Sequence, residues 1–138
     1  MSNRVVLVAF LLLLCCFSAA IGQSSSDSLS VSDTLFVTDL VLCRDVIERE
    51  PVDVVESYTA DDSQAWVFAR IHNEGAMTEI TFRWFYEETE YYTLDARVGT
   101  SKRWRTYSRV TLQPGAWRVE IVDAEGNLLK EARFHVAS

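Results

Sequence analysis

The sequence predicts an all-β protein, a single antiparallel β-sandwich of the Ig-like kind with about seven strands. After Thr34, apolar and aromatic residues recur in short runs that are separated by turn signals. No long helical period and no internal repeat accompanies these runs. The composition, 49% hydrophobic and 24% charged, is typical of a globular domain with a packed core.

The first element is a predicted signal peptide over residues 1–22. Arg4 precedes an apolar run over Val5–Phe17, and the small-residue stretch Ser18–Gly22 follows. This layout is typical of a secretory leader, and we expect cleavage before Gln23. The apolar run is shorter than the roughly 20 residues that cross a bilayer. We therefore predict export with a cleaved leader, and a retained signal anchor is the alternative.

A predicted flexible tether over residues 23–33 joins the leader to the β-sandwich domain at 34–138. The tether holds six serines and two aspartates. So little apolar surface cannot offset the entropy that is lost when such a segment becomes ordered. We expect the exported domain to lie in the periplasm or outside the cell.

Strands are predicted from the alternation of apolar and polar side chains. The alternation is clearest where Ile80, Phe82 and Trp84 share one face. Trp104 and Trp117 also fall on the apolar faces of their strands, so we expect all three tryptophans in the core. The seven predicted strands are approximately residues 35–43, 65–72, 80–86, 91–98, 104–112, 117–123 and 128–136.

Turns and composition predict how the strands are connected. Pro114 with Gly115, and Gly126, are suited to tight turns, so we expect the last three strands to pair in sequence. The acidic stretch 45–62 contains Pro51 and is predicted to be a loop or an edge. Residues 65–71 are apolar on both faces, as in a central strand that is covered twice.

No enzyme motif is present, so no catalytic, cofactor-binding or metal-binding residue is predicted. His72 and His135 fall on separate predicted strands, where ordinary strand roles are favoured over zinc binding. Acidic pairs such as Asp61–Asp62 and the group Glu87–Glu90 are expected in solvated turns, in preference to calcium sites. No cofactor is expected.

Cys43 is the only cysteine that follows the leader, and so no intrachain disulfide is predicted. Its place in the apolar run Leu40–Cys43 favours a small buried hydrophobe. The alternative is an intermolecular disulfide or a reactive thiol.

Four motifs in a fixed order carry a resemblance to a known family. They are Cys43–Val52, Phe82–Tyr86, Trp104–Ser108, and Gly115–Ile121 followed by Asp123–Gly126. Together they resemble the bacterial domain-of-unknown-function family 2914, over about residues 40–136. The resemblance implies a small exported or membrane-attached bacterial module, and it carries no established activity. Phe82 stands where the family pattern leads us to expect a histidine.

Charge is unevenly distributed along the chain. Residues 23–95 hold sixteen acids and four bases, whereas residues 96–138 hold four acids and eight bases. The whole chain has a net charge of -7, which argues against nucleic-acid binding because phosphates require excess positive charge.

A candidate interaction face lies within the basic part. Several of its residues alternate along one strand, and another is expected beside them on the neighbouring strand: Arg103, Arg105, Tyr107, Arg109 and Arg118. Arginine forks favour carboxylates and phosphates. The alternative is that these arginines pair with the protein's own acids, such as Glu120.

Aromatic residues outside the predicted core offer a second possible surface. Tyr91, Tyr92, Phe85 and Tyr107 are the rings that alternation leaves available for exposure. A sugar or peptide site would use these rings.

The sequence favours a non-enzymatic module that binds a protein partner in the cell envelope. Docking would use the arginine and tyrosine face, or add a partner's strand to a free edge. The alternative is a small-ligand module that recognises carbohydrate or an anionic group through Arg105, Tyr107 and Arg109. Membrane contact is expected only through an uncleaved leader, and the oligomeric state is left open.

Overall fold

The computed structural model describes residues 34–138. The predicted signal peptide at 1–22 and the predicted tether at 23–33 lie outside the described residues. The described part forms eight strands: β1 (Leu35–Ile47), β2 (Glu50–Val55), β3 (Gln64–Asn73), β4 (Thr78–Tyr86), β5 (Thr89–Val98), β6 (Ser101–Thr111), β7 (Gly115–Val122) and β8 (Leu128–Val136).

The strands form two four-stranded antiparallel sheets, which confirms the predicted β-sandwich. The first sheet has the order β2-β1-β3-β6, and the second has the order β5-β4-β7-β8. If β2 is set aside, the pairs β1–β3, β3–β6, β4–β7 and β7–β8 remain. They correspond to the pairs A–B, B–E, C–F and F–G of an Ig sandwich. β5 lies beside β4, where variable-type Ig domains carry an added strand.

The additional strand, β2, arises where the sequence predicts a loop or an edge. Glu48 and Arg49 have positive φ angles of 51° and 63°, and they form the two-residue turn of the β1–β2 hairpin. Ile47 pairs with Glu50 across this turn. Because β2 pairs only with β1, it is an edge strand, in which Pro51 is tolerated.

The β1–β2 hairpin bends back over the outer face of the first sheet. Glu50 contacts Arg70 of β3 at 2.8 Å and also contacts Arg105 of β6, although β2 pairs with neither strand. Phe68, on the outward side of β3, is fully buried. β3 is therefore a central strand covered on both faces, as predicted.

The core contains the side chains that the alternation assigns to it. Ile80, Phe82 and Trp84 of β4 are fully buried, and Trp117 of β7 is buried beside them. The indole Nε1 of Trp84 donates a hydrogen bond of 3.0 Å to Ser108 Oγ, which joins the two sheets through the core. Trp104 differs from the prediction in degree, because it is only partly buried at the margin of the core.

The connection between β6 and β7 corrects the prediction that the last three strands pair in sequence. The chain bends at Pro114, Gly115 has a φ of 135°, and Tyr86 Oη donates a hydrogen bond of 2.6 Å to Pro114 O. However, β6 belongs to the first sheet and β7 to the second. The Pro-Gly segment therefore crosses between the sheets, and only β7 and β8 form a hairpin, closed near Gly126 with its φ of 86°.

Tyr58 joins the segment after β2 to three strands. Its hydroxyl donates a hydrogen bond of 2.6 Å to Cys43 O and accepts one of 3.2 Å from Trp66 N. Its backbone forms a parallel bridge with Val136. Burial is the main cause that raises the pKa of Tyr58 above its ordinary value.

Tyr58→Phe is expected to destabilise the domain by about 1–2 kcal/mol at neutral pH, because buried backbone groups lose their hydroxyl partner. This cost should shrink above about pH 10. There the unfolded wild type releases the tyrosine proton and the folded wild type retains it, so the wild type loses stability as the pH rises. The variant lacks that group. Urea unfolding of both proteins at pH 7 and at about pH 10.5 measures the difference, and a cost that grows with pH would contradict the assignment.

Candidate interaction site

The structure places four of the five predicted interaction residues on the outward face of β6. Arg103, Arg105, Tyr107 and Arg109 alternate with inward residues such as Ser108. All four are exposed. The alternation that predicted this shared face is therefore correct for β6.

Arg118 is not part of this face, which corrects the prediction. It lies on β7 in the second sheet, since the β6–β7 connection crosses the sandwich. Its side chain is only 12% exposed and pairs with Glu120 and, at 3.1 Å, with Glu88. Its guanidinium carbon lies 3.9 Å from the centroid of the Phe85 ring. Arg118 therefore contacts side chains of its own sheet and of the turn after β4.

Arg105 and Arg109 are both held by neighbouring side chains. Arg105 pairs with Glu50 of the hairpin, and this hydrogen bond is the first cause that lowers the pKa of Glu50. The guanidinium of Arg109 lies 5.0 Å from the centroid of the Trp66 ring, and Trp66 contacts Tyr107 at 5.7 Å between ring centroids. Glu120, predicted as a partner of these arginines, contacts Arg118 and Arg83 instead.

Three of the four rings predicted to be available are exposed. Tyr91, Tyr92 and Tyr107 have 45%, 42% and 45% of their surface accessible. Phe85 is the exception, because the guanidinium groups of Arg83 and Arg118 lie over its ring and leave it 9% exposed.

A hollow that we name the tyrosine groove lies between the edges of the two sheets. It has a volume of about 370 Å³ and is lined by Tyr91 and Tyr92 of β5 and by Arg109, Val110 and Thr111 of β6. Two rings and one guanidinium therefore face the same space.

A larger hollow, which we name the arginine cleft, continues along the same two strands. Its volume is about 640 Å³. The residues that give it its chemistry are Glu48 and Arg49 of the hairpin turn, Arg97 of β5, and Trp104, Arg105 and Tyr107 of β6. Arg49 and Arg97 form no ion pair or hydrogen bond through their side chains within residues 34–138. Neither residue is predicted from the sequence, because the contacts that bring Arg49 of the hairpin and Arg97 of β5 next to β6 join residues far apart in the chain.

Both hollows lie on the open side of the sandwich, which we define as the side formed by β5 and β6. β5 ends the second sheet, and β6 ends the first. Within residues 34–138, each of them pairs with a strand on one edge only. Unpaired backbone donors and acceptors on such edges are able to pair with an added strand.

Three residues that the sequence offers for chemistry are buried or held by neighbouring side chains. Cys43 is a buried free thiol whose pKa is raised chiefly by burial. His72 stacks on Phe36 with 4.5 Å between ring centroids and contacts Glu74 at 3.2 Å. Asp62 binds Arg44 at 2.8 Å, and this contact is the first cause that lowers the pKa of its carboxyl group.

Within residues 34–138, no cluster of three or more histidine, cysteine, aspartate or glutamate side chains is arranged to hold a metal ion. No helix in that range has the length and apolar character to cross a membrane.

Comparison with known proteins bears on the second half of the chain. No curated protein matches the chain. The family model described as "Protein of unknown function (DUF2914)" matches residues 77–136, which hold β4 to β8 and thus both strands of the open side. Residues 40–76 lie outside this match. The predicted resemblance to the domain-of-unknown-function family 2914 is therefore confirmed over residues 77–136.

Proposed function

We propose that this chain is an exported, non-enzymatic β-sandwich module that docks a protein partner on its open side. The observation that carries the proposal is the coincidence of exposed rings with unpaired strand edges. Tyr91, Tyr92 and Tyr107 lie along β5 and β6, and each has more than two fifths of its surface accessible. Of the other two tyrosines, Tyr58 is buried and Tyr86 is partly buried, with its hydroxyl bonded to Pro114 O.

The chemistry of the open side suits a protein interface. Tyrosine and arginine are the residue types enriched at the centres of interfaces, since they offer large contact areas and directed hydrogen bonds. Arg109 already stacks on Trp66, so its guanidinium is held in place before a partner arrives. A partner that adds a strand to β5 or β6 would gain backbone hydrogen bonds as well.

The rest of the surface of the second sheet is less available. Its outward face carries a continuous series of ion pairs, from Glu90 through Arg83, Glu120, Arg118, Glu88 and Arg133 to Glu131. Charges that are already paired have less to gain from a new partner. This contrast supports the assignment of docking to the open side.

The location in the envelope rests on the leader-like pattern of residues 1–22. A domain that works there meets other exported proteins and surface polymers. A non-enzymatic role is supported by the composition of the two hollows, which offer rings, arginines and one glutamate for binding.

Affinity capture from an envelope extract tests the proposal, with the full chain as bait and mass spectrometry as the readout. We expect Arg109→Glu and Tyr92→Ala each to lower the recovery of a specific partner by about tenfold or more. Lys130→Glu is the matched control, because it makes the same charge change as Arg109→Glu on β8, at the opposite edge of the second sheet.

Thermal unfolding must first show that all three variants keep the wild-type fold. A partner that is lost with Arg109→Glu and Tyr92→Ala but retained with Lys130→Glu supports docking on the open side. An identical set of proteins recovered by all four baits would refute it.

A further inference from the structure

The tyrosine groove and the arginine cleft follow one another along the open side, and we refer to the two together as the channel. Tyr92 of the groove and Leu94 of the cleft are two residues apart on β5, as are Arg109 and Tyr107 on β6. From Tyr91 to Arg97, β5 extends for about 20 Å at the usual rise per residue. An extended peptide of about six residues has the same length.

The two ends of the channel differ in chemistry. The groove end has two exposed tyrosine rings, whereas the cleft end has Arg49, Arg97 and Arg105. Glu48 is the only acid among the residues that line either hollow. The channel is therefore positively charged, although the chain as a whole has a net charge of -7.

The arginines of the cleft are not equally available to a ligand. Arg105 is neutralised by Glu50, whereas Arg49 and Arg97 have no ion pair within residues 34–138. Glu79 lies opposite Arg97 in the β4–β5 register but forms no salt bridge with it. Two guanidinium groups at this end are thus free to bind an anion from a partner.

A carboxylate is the anion that this surface already binds. Glu50 receives contacts from both Arg70 and Arg105 on the face next to the cleft. Arg105 belongs both to this arrangement and to the lining of the cleft. A partner carboxylate between Arg49 and Arg97 would repeat the same recognition beside it.

We propose that the channel binds an extended acidic segment of a protein partner, with an aspartate or glutamate side chain in the arginine cleft and an apolar or aromatic side chain on the tyrosine groove. This inference rests on the docking function proposed above. Side chains of an extended strand alternate between two faces, so the apolar and the acidic side chains that face the channel are expected an even number of positions apart. Attraction between the acidic segment and the basic channel supplies the selectivity.

Fluorescence anisotropy with two labelled peptides tests this inference against the full chain. The first peptide is Gly-Phe-Thr-Val-Thr-Glu-Thr-Glu-Gly, in which the apolar and acidic side chains share one face, and the second has glutamine in place of each glutamate. We expect the glutamate peptide to bind about tenfold more tightly, with an affinity that falls as sodium chloride is added. The double variant Arg49→Gln/Arg97→Gln should lose this preference. The matched control, Lys130→Gln/Arg133→Gln, removes two charges from β8 and should retain it.

Each outcome decides between distinct conclusions. If both peptides bind the wild type equally, the channel accepts a strand without a preference for acids, so the inference fails and the docking function survives. If neither binds, the acidic-peptide inference fails, and docking is judged by the capture experiment alone. If the preference persists in Arg49→Gln/Arg97→Gln, the carboxylate site lies elsewhere, and its assignment to the arginine cleft is wrong.

Discussion

Trp84→Ala is expected to destabilise the domain by about 3–5 kcal/mol, the largest effect of any single change considered for this protein. The Trp84 side chain is fully buried, and its ring contacts both Trp117 and Phe134 edge-on, with 6.5 Å and 6.4 Å between ring centroids. Its removal leaves a cavity that the surrounding rings fill only in part. It also removes the hydrogen bond to Ser108 that joins the sheets.

Chemical denaturation followed by circular dichroism measures this loss, and thermal unfolding should show a midpoint lower by at least about 10 °C. Trp84→Phe retains part of the ring volume and should cost less than Trp84→Ala. Tyr107→Ala removes an exposed ring from the open side and should change stability by less than about 1 kcal/mol. If Trp84→Ala costs no more than Tyr107→Ala, the position of Trp84 at the centre of the core is wrong.

The core could be predicted from the sequence because apolar and polar side chains alternate along each strand. Trp84 and Trp117 share the parity of their apolar neighbours, and both are buried. Phe85 shows the limit of this argument. Its parity points outward, but Arg83, two residues earlier on β4, and Arg118, opposite it on β7, cover its ring. Alternation predicts the face of a sheet on which a side chain lies, and neighbours on that face decide its exposure.

Pairing between strands was harder to predict than the strands themselves. Pro114 and Gly115 do mark a change of direction, yet local turn chemistry does not decide whether the next strand returns beside β6 or joins the opposite sheet. That choice depends on packing between residues far apart in the chain. Arg118 was assigned to the wrong face for this reason alone.

The candidate site was predicted in part. The arginines and the tyrosine on β6 are found by alternation, whereas Arg49 and Glu50 reach the same surface only because the β1–β2 hairpin folds over the sheet. The turn of that hairpin uses Glu48 and Arg49 at positive φ, where asparagine and glycine are the usual signals. Arg49 could therefore not be assigned to the cleft from the sequence pattern.

Glu120→Leu is expected to destabilise the domain by about 2–3 kcal/mol, because it leaves Arg118 without its principal counter-charge in a place that water reaches poorly. The side chains of Arg118 and Glu120 are only 12% and 15% exposed. Glu88 contacts Arg118 at 3.1 Å, but it is an exposed residue and compensates only in part. The Nε atom of Arg118 is buried and has no hydrogen-bond partner among residues 34–138, so this arginine is already costly to hold.

The double variant Arg118→Met/Glu120→Leu should therefore regain most of the lost stability, to within about 1 kcal/mol of the wild type, because apolar side chains of similar size satisfy the same space without buried charge. Glu131→Leu is the control. Glu131 lies opposite Glu120 in the β7–β8 register, but its pair with Arg133 is solvent-exposed and should contribute less than about 1 kcal/mol. Urea unfolding of the wild type, Arg118→Met, Glu120→Leu and the double variant gives the coupling between Arg118 and Glu120 directly. If the double variant is less stable than Glu120→Leu alone, Arg118 stabilises the sheet through its stacking on Phe85, and the ion pair is the minor contribution.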